Sequence, residues 1–391
     1  MKVSQRIQDL AESGTIAVSN KVAALRAEGI DVVSLGAGEP DFDTPDHIKQ
    51  AASAALDRGE TKYAKPASGV AELKSAVIDK LARENNLTYA PDQIIATIGG
   101  KEGLYLAFAT LLDPGDEVII PTPYWVSYPE QIKLVGGLPV FIDAGAASGF
   151  KITPEQLRAA ITPRTRGFVF NSPSNPTGAA YSPEETDALA AVLADTDVIT
   201  LSDEMYDRLL FGGQEFKSFA ATSTHAYDHT LTFNAGSKTF SMTGWRIGYA
   251  AGPVDLIKGM SKLQTQTTSG AATFTMHAMA AALNGDQTCV DEMRDAFEGR
   301  GRFISEALNR LEGVVCPAPG GAFYVFPDVS DTFASLGVSG STAWAGRLLE
   351  EAHVGVVPGS DFGNDDCVRL SFATSMDTLE EAMRRIEAFL D

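Results

Sequence analysis

Apolar residues in this chain gather in short runs, and longer stretches of helical spacing lie between them. Seven runs are too short for helices and are bounded by glycine, proline, asparagine or aspartate: residues 94–98, 117–120, 139–142, 167–170, 198–201, 231–233 and 247–251. Each reads as a buried strand. Pro45-Asp46 opens a helical pattern that Gly59 closes, and further helices are expected over 69–84, 101–112, 125–135 and 183–194, the last with proline in its first turn. Asp113-Pro114-Gly115-Asp116 reads as a turn. Alternating strands and helices predict an α/β fold with a largely parallel sheet.

The pattern changes after about Gly285. Helix-rich sequence runs to Leu311, strands are expected at 322–326 and 368–372, and a last helix at 379–390. The expected division is a large domain over 45–285 and a smaller α/β domain over 286–391, with residues 1–44 packing on the smaller one.

Charge narrows the function. The 391 residues carry a formal net charge of -20, a field that repels nucleic acid and anionic lipid. An anionic small molecule is still admissible, because a few local cations can dominate a pocket. The opening MKVSQRIQDL has no apolar core of a secretory signal, and the apolar stretch at 271–283 is too short to span a bilayer. Cys289, Cys316 and Cys367 are scattered without metal spacing. A reducing cytoplasm is the expected setting.

Open α/β sheets bind ligands at the carboxyl ends of their strands, and the distinctive polar residues fall there. Run 231–233 leads into Asn234-Ala-Gly-Ser237-Lys238, with Arg246 eight residues beyond the lysine. A lysine delivered into a Gly/Ser-lined turn suits a Schiff base, and an arginine nearby suits a phosphate. The cofactor with both an aldehyde and a phosphate is pyridoxal 5'-phosphate. The other strand ends supply what it needs. Asp203 can pair with the pyridine nitrogen and keep the ring protonated. Tyr206 and Asn175 can reach the ring oxygen from two sides. Arg246 offers a fork to the phosphate, and the amides of Gly100 and Lys101 at a helix N-terminus add donors. Ser237 lies in the same turn as the lysine and is a further candidate contact. Trp125 offers a flat face for stacking. Arg369 interrupts the apolar strand 368–372, where a buried arginine needs a partner.

Together these segments resemble the class I/II aminotransferases of the fold-type-I pyridoxal-phosphate superfamily. The likeness runs from Gly36-Ala-Gly38-Glu-Pro-Asp-Phe42 to Arg369-Leu-Ser-Phe-Ala-Thr374. Pro123-Tyr-Trp-Val-Ser-Tyr-Pro129 and Ser241-Met-Thr-Gly-Trp-Arg-Ile-Gly248 are similar to the bacterial aspartate aminotransferases of subgroup Ib. The resemblance implies a seven-stranded large domain and a homodimer with shared active sites. Lys238 would be the Schiff-base lysine. Tyr63 would reach the neighbour's phosphate. Gly38 and Arg369 would hold the substrate α-carboxylate, with Trp125 and Asn175 beside it. Lys101 and Thr15 match positions near a distal carboxylate. Three departures stand out: Glu12 where relatives often carry a basic residue, Glu102 for a common glutamine, and Thr239 for a small residue after the lysine. An acidic residue facing the pocket would neutralise Lys101, and a broad or aromatic preference would follow. A β-lyase or cyclopropane-forming synthase on the same scaffold is the alternative reaction. A cofactor-sensing regulator is the alternative class, and the acidic charge argues against it.

Overall fold

The computed structural model describes residues 2–11 and 14–391; Glu12 lies outside the described residues. The large sheet has seven strands: β1 (Ile94–Thr97), β2 (Glu117–Thr122), β3 (Leu138–Asp143), β4 (Thr165–Asn171), β5 (Ile199–Asp203), β6 (Thr230–Ala235) and β7 (Gly248–Ala251). Their order is β1-β7-β6-β5-β4-β2-β3. The pairs among β2 to β6 are parallel, whereas β7 runs antiparallel to both β1 and β6. The chain is thus an α/β protein with a mostly parallel sheet. Helices cover both faces of the sheet, so strands are buried whether their residues are apolar or not: every residue of β1, β6 and β7 is buried, Thr230, Thr232 and Asn234 included.

The helices Ala71–Asn85 and Thr273–Asn284 share an apolar core with β1 and β7. In Thr273–Asn284 eight side chains are buried, so the apolar stretch there is a core helix enclosed on most sides. Among the described residues no helix is long and apolar enough to cross a membrane. The opposite face takes Gly99–Leu111 and Val254–Thr267.

Beyond the large sheet are two small ones. Val33–Ser34 pairs in parallel with Val354–Gly355, and Val368–Ser371 lies between Val357–Pro358 and Tyr324–Val325. The strand expected at 322–326 is therefore only Tyr324–Val325. Leu35 accepts a bond from the Ser371 amide at 2.7 Å. The strap that follows, Gly36 to Thr44, crosses from the small sheets to the edge of the large one, where Thr44 Oγ1 donates to the Ser241 carbonyl at 2.7 Å.

Candidate active site

Strand direction decides what meets at this edge. Parallel strands β4, β5 and β6 end together, and they deliver Asn171, Asp203 and the one-turn helix Gly236–Thr239 that carries Lys238. The helix Gly99–Leu111 begins directly after β1 and points its N-terminal amides at the same edge. Because β7 is reversed, it is its start that lies here. Arg246 therefore enters two residues before β7, and its Nη1 donates to the Thr243 carbonyl at 2.8 Å. Glycine is favoured at Gly99, where φ is +68° and a Cβ would meet the Arg246 guanidinium at 2.9 Å; a Cβ on Gly100 would have to displace the flexible end of Met205.

One cavity of about 620 Å³ lies over this edge. Its walls include Lys238, Asp203, Tyr206, Asn175, Arg246 and Arg369. Gly38, Gly100, Lys101, Trp125, Ser237 and Thr15 also face it. The structure brings together every site residue expected from the sequence except Tyr63. That residue is 79% exposed and lies off the cavity wall of its own chain.

Burial sets the electrostatics. Asp203 is 5% exposed; burial raises its carboxyl pKa to about 6, against the hydroxyl of Tyr128, which donates to Oδ2 at 2.5 Å. Lys238 is pulled down to about 8, first by burial and then by the Arg369 charge. Its ammonium donates to the Gly38 carbonyl. Arg369 is 2% exposed. Nη1 donates to Asn175 Oδ1 and Nη2 to the Gly36 carbonyl, each at 2.9 Å. Its Nε is buried without a partner, and the Tyr324 ring lies 4.6 Å from its guanidinium carbon. Lys101 is open to the cavity, yet the walls around it and the Arg246 charge lower its pKa; its Nζ sits 5.0 Å from the centre of the Trp125 ring. Glu102 turns away. Its carboxylate accepts from the Ile98 amide at 2.5 Å and from the Thr268 hydroxyl at 2.7 Å, so it does not neutralise Lys101.

Three residues that the sequence reading did not single out complete the site. Tyr128 holds Asp203. Tyr324 shares a hydrogen bond of 3.0 Å with the Tyr206 hydroxyl. Asn171 donates to the Asp203 carbonyl at 3.0 Å and accepts from the Asn175 amide at 3.0 Å. Tyr128 lay in the recognisable segment between Trp125 and Pro129, and Asn171 opens the polar segment 171–178 that follows the run 167–170, but neither carried an assigned role.

Residues 30–386 match the family model for aminotransferase class I and II. The chain belongs to this family. Among curated relatives, this aminotransferase is 49% identical to an aspartate aminotransferase of Geobacillus stearothermophilus, over 100% of this chain and 99% of that one. It is 50% identical to an aspartate/prephenate aminotransferase of Cereibacter sphaeroides, with 99% and 98% covered. Of solved structures, an aspartate aminotransferase of Rhizobium meliloti superposes with a TM-score of 0.96 at 45% identity, covering 100% and 99%. One of Thermus thermophilus, solved with maleate, gives 0.94 at 44% identity, with 99% of each chain covered.

Below its cavity the aminotransferase holds a buried polar network. Glu204 accepts from the Ser202 and Ser218 hydroxyls at 2.8 and 2.6 Å and from the Asn85 amide at 3.1 Å. Burial still raises its carboxyl pKa to about 7. Asn85 accepts from Lys80 at 2.7 Å, and Lys80 also pairs with Asp207. Burial opposes the Lys80 charge, but Asp207, Tyr249 and Glu84 together outweigh it and hold the ammonium above its ordinary range.

Proposed function

We propose that this aminotransferase carries pyridoxal 5'-phosphate and moves the amino group of a dicarboxylic amino acid, aspartate or glutamate, to oxaloacetate or 2-oxoglutarate. The observation that carries the reading is a single cavity walled by a lysine of lowered pKa, a buried carboxylate and two arginines. The residues fit the cofactor. Asp203, buried and short of a cationic partner, suits a protonated pyridine nitrogen. Arg246, Ser237 and the amides of Gly100 and Lys101 suit a phosphate dianion. Trp125 offers a ring face, and Tyr206 and Asn175 suit the ring oxygen. When bound, the cofactor supplies an electron sink for the substrate Cα.

The protein's own groups do the rest. Lys238 would hold the cofactor's aldehyde carbon, and its free amine, with a pKa of about 8, would suit moving the proton at the substrate Cα near neutral pH. Arg369, with Nε and one Nη edge, orients the α-carboxylate, helped by the backbone of Gly38. Lys101 and Thr15 lie on the same walls, and Lys101 suits a distal carboxylate. Two of the relatives' names include aspartate, and maleate, present in one of the structures, is itself a dicarboxylate. Glu102, spent on Ile98 and Thr268, removes one argument against that preference.

Tyr63, exposed and off its own cavity, would complete the site of a second copy, making the functional unit a homodimer. The division into 1–44 with 286–391 against 45–285 is supported by the pairing of Val33–Ser34 with Val354–Gly355. The three cysteines are free, in keeping with a reducing cytoplasm.

The test has two arms. Aspartate alone should abolish the visible absorbance of the lysine-bound cofactor, and a 2-oxo acid should restore it; absorbance that survives a single amino acid rejects transamination. In Lys101→Ala, kcat/KM for aspartate should fall tenfold or more, with phenylalanine nearly unchanged. An equal fall for both removes Lys101 from the distal site.

A further inference from the structure

Beneath the lysine turn lies a second, much smaller cavity that shares no lining residue with the substrate cavity. Its volume is about 10 Å³, on the order of what one water molecule requires. Thr239, Tyr249, Asp207, Lys80, Glu84 and Arg208 contribute to its walls. Thr239 Oγ1, Tyr249 OH and Asp207 Oδ1 are each buried without a hydrogen-bond partner. The three residues are 4%, 1% and 5% exposed. Glu84 Oε2 is a fourth such atom, though it faces the Arg208 and Lys80 cations; the other three orphaned atoms on one small cavity are more than ordinary packing leaves, since nearly all buried polar groups are paired.

The chemistry selects the occupant. Lys80 pairs with Asp207 through the other carboxylate oxygen, and Arg208 faces Glu84 at 3.1 Å. Two cations thus balance two carboxylates, so a metal ion would gain no net attraction and would sit beside an ammonium. A water molecule matches the donors and acceptors instead. It can accept from the Thr239 and Tyr249 hydroxyls and donate to Asp207 Oδ1, which are the three partners typical of buried water.

We propose that this cavity is a built site for one water molecule, and that through it Thr239 is a positioning residue for Lys238. Thr239 is the last residue of the one-turn helix that presents Lys238. The bridge ties that turn to Asp207 on the segment after β5 and to Tyr249 in β7. The segment that follows Asp203 and the strand that follows Arg246 are thereby fixed relative to the amine. The kinetic half of the proposal rests on the cofactor assignment above; the water site does not.

High-resolution diffraction from crystals of the purified protein tests the site, and Thr239→Val, which keeps the shape of the side chain, tests its role. An ordered water within hydrogen-bond distance of all three atoms is expected in the wild type and in Thr239→Ser, and its loss in Thr239→Val. The valine variant should lose kcat roughly tenfold while KM moves less than about twofold, because the amine is displaced and the substrate contacts are not. The pH at which the Lys238 amine attaches cofactor should shift with it. No water in the wild type overturns the site. Water present, with kcat and attachment pH unchanged in Thr239→Val, overturns the positioning role. If Thr239→Val does not fold, Tyr249→Phe removes the opposite donor and carries the same expectations. A protein that binds no cofactor but holds the water refutes the functional reading alone.

Discussion

Arg369→Ala is the sharpest probe of the cavity. The guanidinium is 2% exposed. Its two Nη groups already bond Asn175 and Gly36, and its Nε has no partner. A carboxylate taking Nε and one Nη edge gains two charge-assisted bonds of about 1.5–3 kcal/mol each. In so buried a place their loss amounts to roughly 3–5 kcal/mol. At 1.4 kcal/mol per tenfold, kcat/KM should fall by roughly two to three and a half orders of magnitude. The fall should be alike for aspartate, glutamate and phenylalanine, because all present the same α-carboxylate. The assay is steady-state kcat/KM for the three donors, with a thermal melt of each protein to correct for lost folding. Arg369→Lys serves as a control that keeps the charge and loses the fork, and it should fall between the two. A loss under tenfold would take Arg369 out of substrate binding, and a loss confined to the dicarboxylic donors would move it to the distal end.

Two further outcomes follow from the geometry. Burial and Arg369 disfavour the Lys238 ammonium and bring its pKa to about 8. Attachment needs the free amine, so its rate should rise about tenfold per pH unit below that value and level off above it; a rate still climbing past pH 10 contradicts the lowered pKa. Inactive Tyr63→Ala and Lys238→Ala proteins, mixed and allowed to exchange subunits, should regain activity, since each hybrid dimer holds one site with both defects and one with neither. Sustained inactivity after proven exchange would show that Tyr63 acts within its own chain.

The seven large-sheet strands were legible because each is an apolar run cut off by turn residues, and burial on both faces makes such runs continuous. The two-residue strands Val33–Ser34, Val354–Gly355 and Val357–Pro358 show no period, because two residues cannot. The helix Thr273–Asn284 left no amphipathic stripe, being buried on most sides. Strand direction is likewise silent in the pattern, so the reversal of β7 appears only in the pairing. At the site, Lys238, Asp203 and Arg246 stood out as polar residues at apolar ends. Tyr128 and Tyr324 did not, since a buried tyrosine looks like core until its hydroxyl is seen to meet Asp203 or Tyr206. The direction of Glu102 was equally hidden: only the fold puts the Ile98 amide and Thr268 within its reach.

The pairing of β1 with β7 has a consequence for how the molecule is made. Ala96 lies opposite Tyr249, so the first strand of the large sheet waits for the last. A nascent chain that has not yet emerged past Ala251 cannot seat β1 against β7, and the helix that starts at Gly99 lacks one of the two strands it chiefly packs on. The anion cradle is therefore a late product of synthesis, and any help a phosphate-bearing ligand gives to folding begins only after that closure. Fragments that end before Gly248 should collapse around β2 to β6 and remain indifferent to a phosphate-bearing ligand.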